Sequence, residues 1–127
     1  SFIVNGGDML RQLTNGEFKS SWHRVVAQEK DKERFSIVYF IHPPLDTNIS
    51  PLPESIKRTG YKQQYANLTA RELLIERLVE LDLASQDAYE YLAEQGVEQR
   101  QMQMGCASLE AMKKLRHRGL MTADRSS

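Results

Sequence analysis

The sequence predicts an α+β protein, strands first and helices after, on three observations. Short apolar runs separated by turn residues fill the stretch up to about His42. All four prolines, Pro43, Pro44, Pro51 and Pro53, fall within eleven positions and close that region. Proline donates no ladder hydrogen bond and fixes its own φ, so a strand does not run through them. From Thr69 onward the apolar spacing changes from alternation to a helical period.

Taken in order, Phe2-Ile3-Val4 is a short strand-like run and Asn5-Gly6-Gly7-Asp8 is turn chemistry. Asn15-Gly16 is a strong short-range hairpin signal, so two hairpins are expected. Trp22 to Val26 reads as a strand, the charged stretch Glu29 to Glu33 as a solvated loop, and Arg34 to Ile41 as a half-buried strand by its alternation. The proline segment reads as a loop laid on a surface. Thr69-Ala70-Arg71-Glu72 is a capping box, which predicts a helix from about Ala70 to Leu81 with Leu74, Leu78 and Leu81 at helical spacing. Ser85 can cap a second helix with Ala88, Tyr91 and Leu92 as its stripe and Gly96 as its stop. Ser108 to Arg118 repeats the pattern, with Leu109, Met112 and Leu115 on one face and Gly119 after.

Composition narrows the function classes. A length of 127 residues fits one domain, and 40% hydrophobic with 27% charged residues is the balance of a folded soluble protein. Apolar runs fall well short of the roughly 18 residues a membrane helix needs, so no membrane partner is expected. Lys+Arg and Asp+Glu both count 17, which gives no basic excess for nucleic acid. The charge is uneven along the helices: Asn67 to Glu98 carries a net −6 and Gln99 onward a net +4. Solvated faces and cations near a helix C-terminus account for this, and no aromatic residue interleaves the basic cluster. The lone Cys106 forms no internal disulfide and no secretory leader is visible, so a cytoplasmic location is the expectation. The apolar opening at Ser1 reads as a cut through a fold.

The chemistry-bearing candidates are His23, Arg34 and Ser36. If the Glu29 to Glu33 loop closes an antiparallel hairpin, His23 faces Val38, Val25 faces Ser36 and Ala27 faces Arg34, all on one side. At about 3.3 Å per residue His23 then lies roughly 7 Å from the level of Ser36 and roughly 13 Å from that of Arg34. An imidazole at one end and a guanidinium beside a hydroxyl at the other suit a small dicarboxylate bound to a metal on His23. A one-residue slip would put His23 and Arg34 on opposite faces. Spacing alone leaves two blander readings open: a structural or exposed strand histidine, and an Arg34 paired with the acidic loop.

A resemblance adds what spacing does not. Asn5-Gly6-Gly7-Asp8-Met9-Leu10, Thr14-Asn15-Gly16-Glu17-Phe18-Lys19-Ser20, His23-Arg24-Val25-Val26, Arg34-Phe35-Ser36, and Asp46 with Ser50-Pro51-Leu52-Pro53-Glu54 occur in that order. Together they resemble the C-terminal half of the iron(II)- and 2-oxoglutarate-dependent dioxygenases of the isopenicillin N synthase-like superfamily. The resemblance runs from Ser1 to about Leu83 and fades beyond about Gln99.

What the resemblance implies is specific. The fold would be a partial double-stranded β-helix, or jelly roll, followed by C-terminal helices, divided into residues 1–66 as the C-terminal part of the oxygenase core and 67–127 as a helical extension. His23 would be the distal ligand of a 2-His-1-carboxylate iron site. Arg34 and Ser36 would bind the far carboxylate of 2-oxoglutarate. The cofactors would be Fe(II), with 2-oxoglutarate and O2 as co-substrates, and the products would include succinate and CO2. The partner would be a small-molecule substrate.

The sequence departs from the pattern in having no His-x-Asp: His42 precedes Pro43 and His117 precedes Arg118. The missing ligands are therefore expected in an N-terminal half of the same enzyme, and this span alone should not turn over. His42 reads as a loop residue, His117 as a cation at a helix end, Trp22 and Phe18 as packing residues, and Val38 and Phe40 as either pocket wall or core. Two rivals stand beside this reading: an oxidase of the same superfamily that needs no keto acid, and a non-catalytic module whose helical tail makes partner or self contacts.

Overall fold

The computed structural model describes residues 2–26 and 32–122. Ser1, the paired position Ala27, the loop residues Glu29, Lys30 and Asp31, and Asp124 and Arg125 of the charge pattern lie outside the described residues. Among the described residues six helices follow in order: α1 (Asp8–Leu13), α2 (Pro53–Arg58), α3 (Ala70–Glu80), α4 (Gln86–Glu94), α5 (Val97–Gln103) and α6 (Leu109–His117).

The longer helices form where local rules place them. Thr69 accepts from the Glu72 amide while the Glu72 carboxylate accepts from the Thr69 amide, so the capping box satisfies two otherwise orphaned donors at the start of α3. Ser85 and Ser108 accept from the amides of Ala88 and Ala111 and start α4 and α6 in the same way. The packing faces are rotated from the expected stripes. In α3 the buried positions are Ala70, Glu72, Leu73, Glu76 and Val79, and Leu81 after it is exposed; in α4 Tyr89 joins Leu92; in α6 Ala111, Met112 and Leu115 are buried and Leu109 is exposed.

α3 packs against α4 and α6, and α4 against α5. Their core of Leu73, Val79, Tyr89, Leu92, Val97 and Leu115 is completed by Ile49 and Leu68, with Met9 and Leu13 of α1 against it. Lys114 of α6 donates to the carbonyls of Val79 and Glu80 at 3.2 and 2.6 Å, closing the C-terminal end of α3. The Arg118 guanidinium lies 3.8 Å from the Tyr89 ring centroid, a cation on an aromatic face.

The proline-rich segment is a strap rather than a free loop. Its amides and carbonyls are paired: Ile49 N–H to the Leu68 carbonyl at 2.9 Å, Ala70 N–H to Thr47 at 2.9 Å and Leu52 N–H to Leu13 at 3.0 Å. Pro53 sits at the start of α2, where its missing N–H costs no helical hydrogen bond.

The expected jelly-roll strands are not found, and the α+β class is corrected to an α-helical one. Among the described residues there is no strand and no sheet, only an isolated antiparallel bridge between Asn48 and Thr69. Alternating hydrophobicity selects a face, but a strand exists only when a neighbour takes its backbone donors and acceptors. Among the described residues no ladder neighbour is found for residues 19–26 and 33–43, and their large apolar side chains project outward: Trp22 is 103% and Ile37 98% exposed. Trp22 and Phe18 are accordingly exposed rather than packed.

The two expected hairpins are corrected as well. Asn5 to Asp8 leads directly into α1, and Asn15-Gly16 terminates it, both residues at positive φ (53° and 83°). The Asn15 side chain is buried. It donates to Thr59 Oγ1 at 2.6 Å and the Lys62 carbonyl at 2.9 Å, and accepts from the Gln64 amide at 2.7 Å. A dipeptide able to hold a left-handed backbone serves a helix end as readily as a hairpin.

Candidate functional site

His23 lies on the irregular segment after Ser20 and is exposed. Its Nδ1 is 3.0 Å from the Ser21 carbonyl, an atom that can only accept. Nδ1 is therefore the donor in that contact, and Nε2 has no hydrogen-bond partner among the described residues. Arg34 and Ser36 are also exposed. Among the described residues no hydrogen bond or ion pair joins any two of His23, Arg34 and Ser36. The hairpin register that would align them on one face is not formed there.

Among the described residues, no three or more His, Cys, Asp or Glu side chains gather into a metal site. His23 by itself is one donor, too few for an iron site, and no reaction step through iron follows from these residues alone. His42 bonds locally, its Nδ1 3.0 Å from the Pro43 carbonyl, and His117 ends α6, in agreement with the loop and helix-end roles expected of them.

The structure brings together residues that sequence spacing does not connect. An open groove of about 350 Å³ runs between Asn5 to Leu10, the segment Phe40 to His42, and Leu73, Leu74 and Arg77 of α3. Phe40 lines it and Val38 does not. At its floor Arg77 Nε donates to Asp8 at 2.6 Å, and Arg77 Nη1 donates to Glu76 and Glu80, each at 2.7 Å. Burial pushes the Asp8 carboxyl up, but hydrogen bonds from Ser20 and Arg77 and the charges of Arg77 and Arg11 outweigh it and hold it below its ordinary value. No local pattern announces this cluster, because Asp8 and Arg77 are 69 residues apart.

Residues 1–43 match the family model described as 2OG-Fe(II) oxygenase superfamily. Gibberellin 2-beta-dioxygenase 1 of Pisum sativum is 46% identical over 69 residues, which is 54% of this chain and 20% of that protein. S-norcoclaurine synthase 1 of Coptis japonica is 41% identical over 75 residues, 59% of this chain and 20% of that protein. 1-aminocyclopropane-1-carboxylate oxidase 4 of Arabidopsis thaliana is 42% identical over 67 residues, 53% of this chain and 21% of that protein. The chain thus matches about a fifth of the length of these curated relatives. No solved structure matches. No helix among the described residues is long and apolar enough to cross a membrane. His23, Arg34 and Ser36 all fall inside residues 1–43, the span over which the chain is similar to the 2OG-Fe(II) oxygenase superfamily.

Proposed function

We propose that this chain supplies the C-terminal catalytic portion of an iron(II)- and 2-oxoglutarate-dependent oxygenase that oxidises a small organic substrate in the cytoplasm. The single observation that carries the reading is the superfamily match over residues 1–43, which contains all three motif residues. In this reading His23 is one iron ligand through Nε2, oriented by its Nδ1–H on the Ser21 carbonyl. Arg34 and Ser36 grip the far carboxylate of 2-oxoglutarate, the guanidinium through paired N–H donors and the hydroxyl through one more. The sequence has no His-x-Asp pair, so the other two ligands come from further residues of the same enzyme. Residues 67–127 are read as an extension to that portion, helical over its described part and open to self-association. The printed names of the matched relatives point to different compounds, which supports placing substrate choice outside the three motif residues.

The test is O2-dependent succinate formation by the full-length enzyme. His23→Ala should abolish it, and undiminished activity removes His23 from the site. Arg34→Gln should mainly raise KM for 2-oxoglutarate, by about tenfold or more for the loss of a charge-assisted contact. An unchanged KM removes Arg34.

One observation favours a second reading. The match to 1-aminocyclopropane-1-carboxylate oxidase 4 supports an oxidase that uses the same arginine and serine on another carboxylate. Activity that persists when 2-oxoglutarate is omitted selects it.

A further inference from the structure

Glu76 of α3 and Glu98 of α5 are the two most deeply buried carboxyl groups among the described residues, each about 1% exposed. Glu76 has a full set of donors: Arg77 Nη1 at 2.7 Å on one oxygen and Gln101 Nε2 at 3.0 Å on the other. Glu98 has only half. Its Oε2 accepts from the Ser108 amide at 3.1 Å, while its Oε1 meets no N–H or O–H donor of another residue. Gln101, three residues on from Glu98 along α5 and so on the same face, holds Glu76, which sets the two buried side chains beside each other. Two carboxylates cannot bond, so the pair is satisfied only if one of them carries a proton. Burial raises both carboxyls, but at Glu76 the Arg77 charge and the Gln101 hydrogen bond oppose it, so Glu76 is the one suited to stay ionised and Glu98, without a cation of its own, the one suited to donate.

We propose that Glu98 is protonated at neutral pH and donates to the Glu76 carboxylate, forming a buried proton-dependent latch. Loss of that proton at alkaline pH loosens the corner between α5 and α6. That corner is tied to Glu98 directly, through the Ser108 amide at the start of α6. Burial, then the negative charge of Glu76 and its hydrogen bond, push the Glu98 carboxyl up to about 8.

The surrounding charges do not relieve a second anion. From α3, Glu80 adds negative charge and Arg77 is already shared among Glu76, Glu80 and Asp8 of α1. Arg11 of α1 pairs with Asp8, and Arg100 on the same helix as Glu98 is taken by Glu72. Lys114 of α6 is held by Asp82 and the α3 carbonyls. Cys106, in the loop between α5 and α6, feels the Glu76 charge and is pushed up by burial. Among the described residues no charged side chain of α4 or α6 pairs with either carboxyl.

The test is a carboxyl carbon NMR titration of the full 127-residue chain, combined with hydrogen exchange at the Ser108 amide. The Glu98 carboxyl should titrate near 8 instead of its ordinary 4.5. Across that step Ser108 exchange should accelerate by about tenfold beyond its intrinsic pH dependence. Glu98→Gln keeps a donor toward Glu76 and should show no step. A Glu98 midpoint in the ordinary carboxylate range overturns the proposal, as does an equal exchange step in the Gln variant. The wild-type titration reads out even if that variant does not fold.

Discussion

Arg77 and Asp8 join the two ends of the helical core: the Arg77 Nε donates to the Asp8 carboxylate at 2.6 Å, fastening α3 to α1 across 69 residues of chain. The same guanidinium compensates Glu76, which has no exposure to water to fall back on.

Replacing Arg77 with Met should therefore cost more than a surface pair would. It leaves Glu76 as a buried carboxylate without its cation, a loss of about 3 kcal/mol. Urea unfolding at pH 7 measures it, and adding Glu76→Gln should recover much of the loss, because there is then no buried charge to compensate. A double variant no better than Arg77→Met would show that the packing of the Arg77 stem, not the charge, is what matters.

Asp8 makes stability depend on acid pH. Its folded-state carboxyl titrates below the ordinary 3.8, so its contribution is complete above that value and is lost as pH falls further. Thermal unfolding of the chain below pH 4 should show a steeper loss than Asp8→Asn, which has no proton to take up there. Parallel acid limbs would show that Asp8 and Arg77 are not coupled in solution.

Asn15 separates backbone from side-chain effects at the end of α1. Its φ of 53° is accessible to glycine, so Asn15→Gly should lose only the three side-chain hydrogen bonds to the 59–64 loop. Asn15→Ala loses the same bonds and adds left-handed strain of about 1 kcal/mol or more. Chemical denaturation of both variants gives the difference. Equal stabilities would mean that the backbone relaxes out of the left-handed region.

The capping box of α3 is a further local test. Thr69→Ala removes the acceptor for the Glu72 amide and should destabilise by about 1 kcal/mol. Thr69→Ser keeps the acceptor and should stay close to the parent. Both are read from denaturation midpoints.

The residues differ in how far their neighbours in sequence explain them. Thr69 with Glu72, Ser85 and Ser108 act on amides three positions away, so α3, α4 and α6 and their starting points are legible from spacing alone. The motif residues His23, Arg34 and Ser36 are legible too, and the superfamily match covers them, although no described contact gathers them into one site. The face a helix buries is not local. Leu74 and Leu78 compete with Leu73 and Val79, and the position of α4 and α6 turns α3 so that Glu76 goes inside.

Strands depend on non-local partners still more. Arg34 to Ile41 alternates as a strand should, yet without a backbone neighbour among the described residues it stays exposed. Asn15-Gly16 and Pro53 are compatible with two outcomes each, and contacts with the 59–64 loop and with the strap from Thr47 to Leu52 select helix ends over hairpin and loop. Caps and motif spacing act over a few residues and can be read along the chain. Pairing, helix rotation and the Glu76 and Glu98 latch arise from groups distant in sequence that meet only after the chain has folded.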